Sequence, residues 1–127
     1  MENADKIILS QDAFQKISAL LAATSSETAE LLEEELQRAM VVPDDELPSH
    51  VVAINSLVTF VDLESGKETQ VTLVYPHEAS IDDHKVSVIA PLGAALIGLS
   101  VGQSIQWPMP NGKQRRLQVT AVTPAPI

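Results

Sequence analysis

Thirteen consecutive residues, Ala90-Pro-Leu-Gly-Ala-Ala-Leu-Ile-Gly-Leu-Ser-Val-Gly102, contain a single polar side chain, that of Ser100. A stretch this apolar has to be covered by the rest of the chain. Pro91 suits a first helical position, where its missing N–H is not needed. Gly98 suits the left-handed residue that stops a helix. The segment therefore reads as one short buried helix, and the remaining elements must wrap around it.

The chain of 127 residues is enough for one ordinary domain and an appendage. Apolar residues make up 45% of it and aromatic residues 3%, so the core is aliphatic. Eight Lys and Arg stand against seventeen Asp and Glu, for a net charge of -9. Affinity for nucleic acid rests on cations that displace phosphate counterions. Autonomous DNA or RNA binding and attachment to anionic membranes are therefore not expected, and a basic protein surface is the natural partner. Without cysteine there is no disulfide and no thiolate zinc site. The start Met1-Glu-Asn-Ala-Asp lacks the basic and apolar parts of a secretory signal. No apolar run approaches the roughly 20 residues of a membrane helix. The expectation is a soluble cytoplasmic protein.

Two units follow from the change of period. Residues 1–46 read as a short antiparallel helical hairpin. Ser10 is placed to cap a first helix, whose face carries Phe14, Ile17, Leu20 and Leu21. Thr24-Ser-Ser-Glu27 has capping-box spacing for a second helix striped by Ala29, Leu32, Leu36 and Ala39 or Met40. At 12–16 residues each, the helices extend roughly 20 Å. Val42-Pro-Asp-Asp-Glu-Leu-Pro48 reads as a linker. Residues 47–127 read as an antiparallel sheet curled around the buried helix. Its strands are expected at Leu57 to Leu63, around Val71 to Tyr75, at Val86 to Ile89, Ser104 to Met109 and Arg116 to Val122. Asn111-Gly112 is the turn of the last hairpin, and Pro108 and Pro110 make its first strand an edge. Thr123 to Ile127 reads as a frayed tail. The fold class is α+β.

Little in the chain carries chemistry. His77-Glu78 and Asp82-Asp83-His84 are metal-ligand types, but they share one short segment without helical pairing and read as a solvated loop. His50 reads as a surface residue. The hairpin tip is Ser25, Ser26 and Glu27, with Glu30 one turn on. Both acids suit the positive end of the second helix. Glu33-Glu34-Glu35 reads as a solvated face. Trp107 reads as a core anchor, with a partner contact as the alternative. No catalytic, metal or cofactor site emerges, and Gly93 and Gly98 lack the spacing of a phosphate loop.

From about Leu47 to Val122 the chain resembles the C-terminal domain of the GreA/GreB transcript-cleavage factors. The landmarks occur in order: Asn55-Ser56, Leu73-Val-Tyr-Pro76, Val88-Ile-Ala-Pro-Leu-Gly-Ala-Ala-Leu-Ile-Gly98, Val101-Gly102, Pro110 and Gly112. Glu46-Leu47-Pro48, Val51-Val52 and Ser104-Ile-Gln-Trp107 are similar to the branch of the family that regulates nucleoside diphosphate kinase. The resemblance implies an FKBP-like C-terminal domain that docks on the rim of the RNA polymerase secondary channel. The docking residues would be Val88, Ile89, Ala90 and Pro91. Cleavage factors place an Asp and a Glu at the tip of a long hairpin on the catalytic magnesium. Here the tip has no Asp and the hairpin is short, so no catalytic residue carries over. The expected protein binds polymerase, does not cleave, and competes with the longer factors. The alternatives are a true cleavage factor using Glu27 and Glu30, and an FKBP-type prolyl isomerase. The isomerase would need several aromatic side chains around one pocket.

Overall fold

The computed structural model describes residues 7–108 and 112–124. In chain order the elements are β1 (Ile8–Ser10), α1 (Gln11–Ala22), α2 (Glu27–Arg38), β2 (Met40–Val42), β3 (Leu57–Asp62), β4 (Glu68–Val74), β5 (Lys85–Ser87), α3 (Pro91–Leu96), β6 (Ser104–Pro108) and β7 (Gln114–Thr123). Short 3-10 turns lie at Asp44–Glu46 and Pro76–Glu78. Among the described residues no helix is long and apolar enough to cross a membrane.

The Ser10 hydroxyl accepts the Ala13 N–H at 3.1 Å and starts α1. The second cap differs from the sequence expectation. Ser26, not Thr24, accepts the Ala29 N–H, at 3.0 Å. Thr24 instead donates its hydroxyl hydrogen to the Leu20 carbonyl at 2.7 Å. That bond closes the end of α1, and the cap falls to Ser26, immediately before the first residue of α2. The expected linker is also more structured than its prolines suggest. Met40–Val42 pairs in parallel with Ile8–Ser10, and the Asp44 carboxylate accepts the Asp12 N–H at 2.9 Å.

The large sheet has the order β5-β4-β3-β7-β6. It is not purely antiparallel, because β5 runs parallel to β4. The chain reaches β5 through a long excursion, residues 75–84, and not through a hairpin. The strand β6 is an edge and pairs with β7, as the two prolines require. Met109, Pro110 and Asn111 lie outside the described residues, so the turn itself is not characterised; Gly112 has φ +82°. The tail expectation also falls partly outside, since β7 continues to Thr123 and residues 125–127 are not described.

One apolar cluster joins both parts of the chain. It holds Ile17, Leu21, Ala29, Leu32 and Leu36 from the helical pair with Leu73, Leu96, Trp107, Leu117 and Val119 from the sheet and α3. The main-chain ties agree with this. Ile8 N–H donates to the Gly98 carbonyl at 3.0 Å, and Gly98 N–H to Val52 at 3.0 Å. Gly98 adopts φ +80°, and a Cβ there would lie 2.7 Å from the Ile7 Cβ. Only glycine lets the end of α3 meet the N-terminal strand so closely.

Asp62 locks the turn between β3 and β4. Its carboxylate accepts the N–H groups of Glu64 at 2.9 Å and Ser65 at 3.3 Å, and the Arg115 guanidinium at 2.6 Å. The Glu64 bond is the main cause that holds its pKa below the ordinary carboxylate value; burial opposes this, while Ser65 and Arg115 add to it. A depressed folded pKa gives stability that is present above the unfolded pKa of about 3.9 and is lost as pH falls through the folded value. Asp62→Asn is expected to flatten that acid-side loss, measured as the urea midpoint between about pH 5 and pH 2. An unchanged slope would contradict the assignment.

Candidate functional site

The loop from β5 into α3 is pinned on both sides. Val88 N–H donates to the Val74 carbonyl at 2.8 Å. Ser87 then holds the loop twice: its hydroxyl accepts the Ile89 N–H at 3.2 Å and its carbonyl the Ala90 N–H at 3.1 Å. Ala90 is extended, at φ -77° and ψ 156°, and caps α3 without any side-chain bond. Pro91 occupies the first helical position, as the sequence requires. Its ring fixes φ, so the loop enters the helix with little freedom.

The floor of this loop is Gly93. A Cβ on Gly93 would stand 2.0 Å from the Ser87 carbonyl oxygen and 3.0 Å from the Leu73 Cδ1. Helix α3 therefore lies directly on β5. Sequence reasoning assigns no role to Ser87 or to Gly93. The one signal is a glycine inside a helix, which is unfavourable by about 1 kcal/mol against Ala and marks a close approach.

Four residues are expected in the docking loop, and their exposure differs. Val88 is fully buried, whereas Ile89, Ala90 and Pro91 are half-buried and keep surface. None of these side chains ionises or donates a hydrogen bond. The loop can therefore be recognised only by shape and apolar contact, through a rigid surface of small groups.

The other expected site lies at the turn between α1 and α2. Ser25, Ser26 and Glu27 are exposed, and Glu30 is exposed in the first turn of α2. Ser26 is occupied in capping. The remaining candidates do not converge. His77 lies in the 3-10 turn after β4 and stacks on Tyr75 with ring centroids 6.5 Å apart. Asp82, Asp83 and His84 are exposed in the turn before β5, and His50 is exposed. Among the described residues no three His, Asp or Glu side chains are grouped to hold a metal ion. Trp107 is 3% exposed and is a core residue.

The family described as transcription elongation factor, GreA/GreB, C-terminal matches residues 47–124, the part that carries the loop from β5 into α3. The chain belongs to the GreA/GreB family. Within it, the Regulator of nucleoside diphosphate kinase of Escherichia coli K12 is 44% identical over 91 residues, covering 72% of this chain and 67% of the relative. Transcription elongation factor GreA of Syntrophomonas wolfei is 33% identical over 81 residues, covering 64% of this chain and 51% of that protein. This GreA/GreB-family chain thus spans about half the length of that GreA relative. A solved structure, the prokaryotic transcription elongation factor GreA/GreB from Nitrosomonas europaea, is 39% identical with a TM-score of 0.77. It covers 94% of this chain and 99% of its own, so the likeness extends into the helical pair.

Proposed function

We propose that this protein is a transcription regulator that docks on RNA polymerase at the rim of the secondary channel and does not stimulate transcript cleavage. Ile89, Ala90 and Pro91 form the contact, with Val88 anchoring the loop from beneath. Residues 47–127 act as the docking domain, in an FKBP-like arrangement. Residues 1–46 act as a short hairpin whose tip is Ser25, Ser26, Glu27 and Glu30. By occupying the rim the protein competes with longer Gre factors. Likeness to the Escherichia coli regulator extends the proposal to control of nucleoside diphosphate kinase. The protein acts in the cytoplasm.

The observation that carries this reading is the length and burial of the helices. Each has 12 residues, or about 18 Å of rise. Their apolar stripes are spent in the same core as the sheet. Glu27 and Glu30 therefore stay close to the docking body and cannot reach deep into a channel. The isomerase alternative lacks an aromatic-lined pocket, because Phe60 and Trp107 are each 3% exposed and Lys16 lies over the Tyr75 ring, 5.8 Å from its centre.

The test is a pull-down with core RNA polymerase. Ala90→Asp adds a charge to a contact formed by apolar side chains. Binding is expected to fall by at least about tenfold, since an unpaired charge in a dry contact costs more than ~1.4 kcal/mol. Trp107 fluorescence checks that the variant is folded. Unchanged binding by folded Ala90→Asp would remove this loop from the interface.

A further inference from the structure

One edge of the sheet is left open in its middle. The strand β5 pairs with β4 only at Thr72, Leu73 and Val74. Yet β4 continues back to Glu68. The cause is His84. It takes φ +57°, and its N–H turns back to the Ile81 carbonyl at 3.1 Å, although its carbonyl still accepts the Thr72 N–H at 2.9 Å. The ladder stops there.

The register says which main-chain groups are stranded. Leu73 N–H donates to Ser56 at 3.1 Å and Asp62 N–H donates to Lys67 at 2.9 Å, both on the β3 side. Direction alternates along a strand. Thr69 and Val71 therefore also face β3, while Glu68 and Gln70 face the side that β5 has vacated. Gln70 stands opposite Thr59 and Glu68 opposite Val61, both in the non-bonded positions of the β3 pairing. Two N–H and two C=O groups, about 7 Å apart along the strand, are thus presented to one side. Such a row is a template for a further strand.

Space lies in front of that row. A groove of about 1330 Å³ runs between β4 and the turn before β5, lined among others by Glu68, Gln70, Val71, Ile81 and Lys85. Ile81 on the far wall is 93% exposed, the most exposed large apolar residue described. Lys67 and Lys85 stand at the two ends of the open stretch. Among the described residues neither lysine has a carboxylate within ion-pair distance, whereas Lys16, Arg38 and Arg115 each do. The acids of the groove lie elsewhere, Glu68 within the strand and Asp82 on the far wall.

We propose that this open edge of β4 binds an extended segment of a partner protein, acidic at both ends, which adds to the sheet as a strand in line with β5. The main chain of Glu68 and Gln70 supplies the hydrogen bonds. Ile81 and Val71 contact the apolar side chains of the segment, and Lys67 and Lys85 pair with its terminal acids. Ser87, beside the docking contact, and Ala90, within it, also line this groove.

The test uses the full chain labelled with nitrogen-15 and the blocked peptide Glu-Thr-Val-Thr-Val-Glu. Saturable shifts and slowed exchange are expected at the Glu68 and Gln70 amides. Gln70→Pro removes the outward N–H without touching the β3 ladder and is expected to abolish binding. Because that proline could perturb the strand, a second variant carries Lys67→Glu and Lys85→Glu. It is expected to bind about tenfold more weakly, the effect of two exposed ion pairs. The proposal is overturned by any of three results: no saturable shift at those amides, equal binding of a peptide N-methylated at alternate residues, or protection of both amides that rises with protein concentration before peptide is added. The last would assign the edge to a second copy of this chain.

Discussion

Gly93→Ala is expected to destabilise the protein by about 3 kcal/mol, at the upper end for a methyl forced into a packed site. In an exposed helix the same change would stabilise by about 1 kcal/mol. Here the sign reverses because the new Cβ would sit 2.0 Å from the Ser87 carbonyl oxygen and 2.8 Å from its carbon. Both are backbone atoms, so no side-chain rotation relieves the contact. Either α3 lifts from β5 or the loop carrying Ile89 and Ala90 shifts. With a urea m-value of about 1.5 kcal/mol per M, the midpoint should fall by about 2 M. Gly66→Ala is the control: Gly66 has nothing within 4 Å of its Cβ position, so only the strain of φ +76° remains. That strain costs about 1–2 kcal/mol. An unchanged midpoint for Gly93→Ala would mean that β5 does not hold α3.

Trp107→Ala is expected to cost about 3–5 kcal/mol, as for other large aromatics removed from a core. Trp107→Phe should cost much less than the lost ring volume implies. The Trp107 Nε1 is buried and has no hydrogen-bond partner among the described residues. An unsatisfied buried donor costs about 1–3 kcal/mol, and phenylalanine removes it. Chemical denaturation followed by circular dichroism measures both variants, since each loses the only tryptophan. A loss with phenylalanine as large as with alanine would show that the indole N–H is satisfied.

Features set by neighbours in sequence are legible from the residues alone. Pro91 and Gly98 bracket α3 because a helix start and a helix stop are local requirements. Ser10 caps α1 for the same reason. The apolar stripes of both helices are legible too, but not what they face. Their burial against α3 and the sheet is a long-range outcome that periodicity does not encode. The three-residue strands β1 and β2 escape a reading of the sequence because parallel pairing over three positions has no pattern of its own. The choice of Ser26 over Thr24 as cap depends on where α1 ends. The late start of β5 depends on the left-handed His84, and the mild preference of histidine for that conformation does not single out this one. In the loop from β5 into α3, Val88, Ile89, Ala90 and Pro91 stand out as a group only through the family resemblance. That Val88 faces inward and the next three keep surface follows from the Val88–Val74 ladder bond, which is again long-range.

Stalled, backtracked transcription complexes test most directly whether the protein occupies the polymerase rim without cleaving. RNA shortening is measured for this protein alone, for a GreA factor alone, and for the two mixed. The protein alone is expected to leave the RNA at its intrinsic cleavage rate. In the mixture it is expected to slow the GreA reaction in proportion to its dose. Glu27→Ala with Glu30→Ala should leave that inhibition largely intact, apart from a helix-dipole loss of about 0.3–1 kcal/mol per charge. Stimulated cleavage by the protein alone, abolished by the double change, would contradict the proposed function and identify a cleavage factor.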